Sequence, residues 1–276
     1  TYQVIITATA NTGANLTRTL TVDVKQVKVY FTSNTPSNGS SLTYLYLPIE
    51  FYTSTSTVKV EINGVNHTLT VSPDKINKVE LYYTYSSPSG LPSLQSLVGS
   101  SGGYVSFRVY AIGPIVNSTE LRTVYLPPLQ FYVNYTSPTS ENGTTSNLWL
   151  LQVAGEIIDN TLSQDYCYLE LLNPNTSIWD NVSYLPNCNG YIYGENLQAY
   201  AKNTGTNYVV WYRIKLVNSQ GLNYTAAARV IYYSYNSQTV PVVDSSLSYQ
   251  QLTYTIYSAI ANGSNYIVFT PGSYRL

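Results

Sequence analysis

Apolar residues recur along most of this chain with a period of two. The opening segment Tyr2-Gln3-Val4-Ile5-Ile6-Thr7-Ala8-Thr9-Ala10 places Tyr2, Val4, Ile6 and Ala8 on one side. After the turn Asn11 to Asn15, Leu20, Val22 and Val24 repeat the alternation against Thr19, Thr21 and Asp23. Successive side chains of an extended chain point to opposite faces, so the pattern predicts strands that bury one face and wet the other. Further strands are predicted at 25–31, 42–52, 58–62, 67–71, 78–85, 104–112 and 120–126. Asn63-Gly64 between two of them is a hairpin turn. The Ser/Gly/Pro stretch between Tyr85 and Tyr104 predicts a long loop with a helical turn at 93–97.

Leu126-Pro127-Pro128 interrupts the pattern, because successive prolines cannot donate to a ladder and favour extended linker geometry. Strands then resume at 129–135, 147–157, 165–172, 178–185, 191–193, 207–217, 223–235, 246–258 and 265–270. A chain of 276 residues is long for one sandwich. The expected fold is therefore all-β: two Ig-like β-sandwich domains in tandem, 1–126 and 127–276, with an extended N-terminal strand at 1–10 and no helix of three turns.

Composition changes what the surface of such a fold does. Tyrosine supplies 30 residues, and charged residues only 10%, against about a quarter in ordinary soluble domains. With net charge −1 and no basic stripe, pairing with nucleic acid or anionic lipid has nothing to work with. Tyrosines occupy alternating positions (Tyr82, Tyr83 and Tyr85; Tyr208 and Tyr212; Tyr232, Tyr233 and Tyr235; Tyr249, Tyr254 and Tyr257). One of two adjacent rings enters the core while its neighbour coats the exterior, ready to touch sugar or another subunit.

The chain starts at Thr1 and lacks Met, which reads as a mature chain freed of a secretion signal. No apolar run is long enough for a membrane span; the best, 148–158, is broken by Gln152, Gly155 and Glu156. Sequons for N-linked glycans stand at Asn15, Asn38, Asn66, Asn117, Asn134, Asn142, Asn175, Asn181, Asn223 and Asn262, three of them (Asn38, Asn142 and Asn262) in Asn-Gly turns. Cys167 and Cys188, with no His or acidic cluster nearby, read as a disulfide. These features place the protein outside the cell, at the cell surface.

Candidate chemistry is sparse. The single histidine, His67, lies beside a turn and reads as a surface residue. Glu156, Asp159 and Asp165 come closest to an acidic group, yet read as a solvated loop too thin in ligands for calcium. Gly102-Gly103 precedes a strand, not a helix, and so is no phosphate cradle. Catalytic residues, metal and cofactor are accordingly expected to be absent.

The opening TYQVIITATANTGANLTRTLTVDV resembles the last two strands of an Ig-like domain in large surface proteins. The whole-chain composition, rich in Tyr, Ser, Thr, Asn and sequons and poor in charge, resembles secreted proteins of thermoacidophilic archaea: S-layer proteins, thread-like pili and acid proteases. It suits acid, where carboxylates protonate and stop pairing with Lys and Arg. Thread-like pili are chains of β-sandwich subunits linked by donor strands. That resemblance implies a structural subunit of an extracellular filament, binding copies of itself by donating Tyr2, Val4, Ile6 and Ala8 as plugs for a neighbour's groove. A local hairpin with the next strand is the competing reading of the same residues. An S-layer protein or a fragment of one, a glycan-binding adhesin module and a secreted acid hydrolase are the alternative functions.

Overall fold

Strands make up 53% of the computed structural model and helix 11%, and it describes residues 2–22, 26–85, 90–138, 142–238, 241–243, 246–261, 267–269, 272 and 274. The chain divides into two compact units, Thr1–Leu129 and Gln130–Leu276.

The first unit opens with β1 (Tyr2–Thr9) and β2 (Asn15–Val22), an antiparallel hairpin that forms a two-stranded sheet of its own. Then follow β3 (Val29–Phe31), β4 (Tyr46–Thr53), β5 (Thr57–Ile62), β6 (Val65–Thr70), β7 (Lys75–Tyr82), α1 (Leu94–Val98), β8 (Gly103–Ala111), β9 (Asn117–Ser118) and β10 (Arg122–Leu126). They make two sheets, β3-β4-β7 and β10-β8-β5-β6 with β9 on β8. Burial alternates strictly: β4 turns Leu47, Ile49 and Phe51 inward, and β8 turns Val105, Phe107 and Val109 inward. Phe31 of one sheet meets Phe107 of the other edge-on at 5.5 Å. The predicted Asn63-Gly64 turn joins β5 to β6, both residues at positive φ (47° and 82°). Gly102, at φ +72°, is where the backbone of Leu126-Pro127-Pro128 comes closest: a Cβ there would lie 2.5–2.7 Å from its atoms. The glycine is thus a packing requirement.

The second unit contains β11 (Phe131–Ser137), β12 (Asn142–Leu148), β13 (Leu150–Asp159), β14 (Asp165–Leu172), β15 (Trp179–Leu185), a 3₁₀ turn (Pro186–Cys188), β16 (Asn189–Tyr193) and α2 (Gly194–Gln198). It continues with β17 (Lys202–Asn203), β18 (Tyr208–Asn218), β19 (Asn223–Thr225), β20 (Arg229–Gln238), β21 (Val242–Val243), α3 (Tyr249–Ala261) and β22 (Val268–Phe269). Sheet β11-β13-β16 faces sheet β12-β20-β18-β14-β15 across a core of Leu151, Val153, Leu169, Leu171, Ile214 and Leu216. Strand β12 runs parallel to β20, whereas the other pairs of this sandwich are antiparallel. Both units are Ig-like two-sheet sandwiches: β3, β4 and β7 share one sheet of the first, and β11, β13 and β16 share one sheet of the second.

Tyrosine behaves here as both core and coat. Tyr233 is fully buried, stacked on Trp149 at 4.5 Å, while Tyr232 and Tyr235 beside it are exposed. The Tyr135 hydroxyl accepts from the Ile214 amide and donates to the Ala227 carbonyl, both at 3.1 Å. Burial keeps that hydroxyl protonated by raising its pKa.

The largest departure from the expected elements concerns residues 246–258, predicted as a strand: residues 249–258 belong instead to helix α3, of more than three turns. Ser248 and Gln251 build a reciprocal cap: the Ser248 amide donates to Gln251 Oε1 at 3.0 Å, and the Gln251 amide to Ser248 Oγ at 3.4 Å. Leu252 and Ala259, seven apart, are its buried residues. The run from Leu252 to Ile256 also alternates apolar and polar residues, so period alone misassigned it. The single strand expected over 223–235 is likewise divided into β19 and β20.

Cys167 on β14 is bonded to Cys188 in the 3₁₀ turn, with a sequence separation of 21 and Cα atoms 5.1 Å apart. A loop of this size is worth about 3 kcal/mol in the chain-entropy model. Replacing both cysteines by serine should lower the unfolding free energy of the second unit by about that amount. The urea transition of the first unit should stay where it was, as followed by fluorescence and hydrogen exchange.

Candidate functional site

The most unusual surface is the N-terminal hairpin. In its register Val4 faces Leu20, Ile6 faces Arg18 and Ala8 faces Leu16, which gathers the apolar side chains on one face. Thr7, Thr9, Thr17 and Thr19 fall on the other face with Ile5. A strand pair so divided belongs over a core, yet Ile6 is 52% exposed and Leu16 72%. Isolated two-stranded hairpins are marginally stable in water; a third strand or a packed face is needed. Among the described residues this face has no such cover.

The four expected plug residues share that face by register: Tyr2, Val4, Ile6 and Ala8, the Tyr2 side chain lying outside the described ones. The structure pairs their strand with Asn15–Val22 along its whole length. Donating β1 alone would break eight residue pairs, whereas donating the hairpin intact breaks none. Among the described residues, the sheets of each sandwich are built from that unit's own strands.

At the other end, β21 and β22 pair in parallel with α3 between them. Two parallel strands alone are rare, because parallel sheets are normally covered on both faces. The helix leaves Tyr249, Tyr257 and Ile260 exposed, and with Ile256 they line a shallow apolar groove.

Eight sequon asparagines have described side chains: Asn15, Asn38, Asn66, Asn117, Asn134, Asn175, Asn181 and Asn223. All eight are exposed. The buried asparagines, Asn160 and Asn218, belong to no sequon. The Asn142 side chain and all of Asn262 lie outside the described residues.

The acidic group is divided by the fold. Glu156 is exposed on β13, opposite Asn134. Asp159 and Asp165 come together where β13 passes to β14. Asp159 accepts from the Thr161 amide at 2.6 Å, and from the hydroxyls of Thr161 and Ser163 at 2.9 and 2.8 Å. The Asn218 amide donates to Thr161 Oγ1 at 3.1 Å. Asp165 hydrogen-bonds Asp159, and its Oδ1 is shut from solvent without a partner. Burial first, then the bond to and charge of Asp159, push its pKa up to about 7. This pair is therefore a partly buried polar knot, not the solvated loop expected. The two acids that are buried among the described residues are tied to neighbours: Glu61 to Arg108 and Tyr110, Glu170 to Arg213. Among the described residues no three metal-ligating side chains converge. His67 is half-buried on β6, its Nε2 withdrawn from solvent, and so is not the surface residue expected. No helix of the described residues is long and apolar enough to cross a membrane.

No protein-family model and no curated protein matches the chain. Solved structures superimpose on it loosely. Fibronectin(III)-like modules of Clostridium thermocellum CbhA share 10% identity over 75% of this chain and 93% of theirs, at a TM-score of 0.24. A 1.5-MDa bacterial ice-binding adhesin shares 16% over 84% and 71%, at 0.29. The FN1–FN3 domains of chicken CNTN1 share 10% over 76% and 70%, also at 0.29.

Asp165 sets a pH dependence of definite sign. Its folded pKa, about 7, stands above the ordinary 3.8, so the fold favours the protonated form. The contribution to stability is complete below the unfolded pKa and is lost as pH rises through 7. Asp165→Asn should therefore raise the melting temperature of the second unit at pH 8 and change it little at pH 4. A difference independent of pH in scanning calorimetry would refute this.

Proposed function

We propose that the chain is a structural module of an extracellular surface assembly, in which copies join head to tail through the N-terminal hairpin and build a filament. The uncovered apolar face of that hairpin carries the reading. The hairpin is delivered whole, its Val4, Ile6, Leu16 and Leu20 side chains leaving water together. The groove on α3, lined by Tyr249, Ile256, Tyr257 and Ile260, is the acceptor of matching chemistry. At about 3.3 Å per residue an eight-residue strand spans about 26 Å, and a 13-residue helix at about 1.5 Å spans about 20 Å, so the two faces are commensurate. An interface of two different patches is heterologous and propagates into a filament when its rotation does not close. The exterior location is supported by the disulfide and by the exposure of the sequons. The two tandem sandwich domains, consecutive along the chain with the division after Leu129, act as spacers between the joints. The sparing use of charge suits an acidic exterior.

A second reading has its own support in the division of the hairpin into an apolar and a threonine face, the pattern of a terminal strand pair in a sandwich. In a longer polypeptide, flanking domains would cover both faces in cis, as in an S-layer protein. One comparison separates the two. The parent protein should show concentration-dependent multimers by sedimentation and filaments by electron microscopy. Ile6→Lys with Leu20→Lys, which places charge on the apolar face, should give monomers whose sandwiches melt unchanged. A parent that stays monomeric at every concentration overturns the filament. Protection of the hairpin from proteolysis on N-terminal extension of the chain would then establish the second reading.

A further inference from the structure

The sequon Asn181-Val182-Ser183 differs from the others in what surrounds it. It lies on β15, the edge strand of one sheet, beside β16, the edge strand of the other. Between them and α2 runs a cleft of about 550 Å³ lined by Asn181, Ser183, Tyr191, Tyr193, Asn196 and Tyr200 among others. Ligand sites fall in the range of about 300–1,000 Å³. The hollow beside Asn134 is smaller, about 240 Å³, and bordered by Arg229. Every residue lining the larger cleft is uncharged: three tyrosine rings, two amides, one hydroxyl and small apolar groups. Its wall is held in place, because the turn from β15 into β16 contains Cys188, bonded to Cys167 on β14.

We infer that this cleft seats the first sugars of a glycan attached to Asn181 of the same chain. Tyrosine rings offer flat apolar faces with polar rims, the counterpart of a pyranose with one face of C–H groups and a hydroxyl edge. The Asn196 amide and the Ser183 hydroxyl supply hydrogen bonds to neutral hydroxyls. The absence of charge in the lining suits a neutral sugar. Tethering raises the local concentration of the sugar, so a shallow site suffices. The attachment is made by the secreting cell: Asn181 Nδ2 gives up one proton and bonds the anomeric carbon of a sugar, which leaves its phosphate-bearing lipid carrier. This inference rests on the extracellular reading and is independent of head-to-tail joining.

The test uses the full chain secreted from a host that attaches high-mannose glycans. Peptide mapping gives occupancy at Asn181 and at Asn175, an exposed site on the preceding turn. Endoglycosidase H under native conditions should release the Asn181 glycan about tenfold more slowly than that of Asn175, a protection of the size that two ring contacts provide. Tyr193→Ala with Tyr200→Ala should bring the rates together, and Tyr193→Phe, which keeps the ring, should preserve the difference. Near-UV circular dichroism checks that the variants are folded; the comparison within the parent decides even if they are not. Equal release rates in the parent, or an unoccupied Asn181 beside an occupied Asn175, overturn the inference. Neither result touches the sedimentation and microscopy of the assembly.

Discussion

A strand with alternating apolar side chains must have its apolar face covered, and the rest of this structure follows from where that cover comes from. In the two sandwiches it comes from within the unit. Leu47, Ile49 and Phe51 on β4 meet Val105, Phe107 and Val109 from the facing sheet, all withdrawn from water. Leu169 and Leu171 meet Leu151 and Val153 in the same manner. At an approximate 1.5–3 kcal/mol for each fully buried large aliphatic side chain, such layers dominate the favourable side of folding. At the hairpin β1–β2 the same chemistry lacks a cover. Val4, Ile6, Leu16 and Leu20 would contribute comparably if they were covered. An apolar face left in water in this way favours any contact that would cover it.

A second constraint is that few charges are available for polar burial. Tyrosine fills the gap, burying a large ring while its hydroxyl completes the backbone's hydrogen bonding. Tyr135 links the Ile214 amide to the Ala227 carbonyl, and Tyr233 donates to the Leu150 carbonyl at 3.2 Å. The buried acids are paired across neighbouring strands. Glu61 is held by Arg108 and Tyr110, and Glu170 by Arg213, whose guanidinium rests on Trp179 at 4.2 Å. Cross-strand pairs of this kind fix register as well as adding energy, which matters where a one-residue slip would turn every side chain to the wrong face.

The fold class was legible because burial on one face imposes a period of two, and β4 and β8 show it without exception. Asn63-Gly64 was legible because a tight hairpin demands positive φ at both positions. Helix α3 was not, since Tyr, Thr and Ile favour strands and apolar and polar residues alternate between Leu252 and Ile256. The signal that would have revealed it is Ser248 with Gln251 three residues on, a reciprocal helix cap. That Tyr2, Val4, Ile6 and Ala8 share one face was legible from the period of two, but the strand they pair with was not: a strand carries no local mark of whether its ladder closes with its own chain or another. Nor could spacing show that Asp159 and Asp165 share a knot while Glu156 stands outside it. That depends on Asn218 and Thr161, 57 residues apart, meeting across the fold.

Few charges also mean that individual acids decide how each unit answers pH. In the first unit Lys78, and then the Tyr46 hydroxyl, hold the Glu80 carboxyl below its usual range. That contribution is present above the ordinary carboxylate pKa and fades as pH falls through the lowered value. Lys78 and Glu80 are largely solvated, so the pair is worth little. In the second unit Asp165 acts in the opposite sense, its proton retained to about pH 7 by burial and by Asp159. Acid therefore weakens a minor surface pair in one unit and relieves a strained carboxyl in the other. A chain with dense ion pairing would lose many partners at once under the same change. Here the stabilising layers are apolar, the buried polar contacts are mostly hydroxyls and amides, and the disulfide does not titrate. The charge-poor surface and the largely apolar interior express one solution, in which most of the stability is carried by groups that do not change charge.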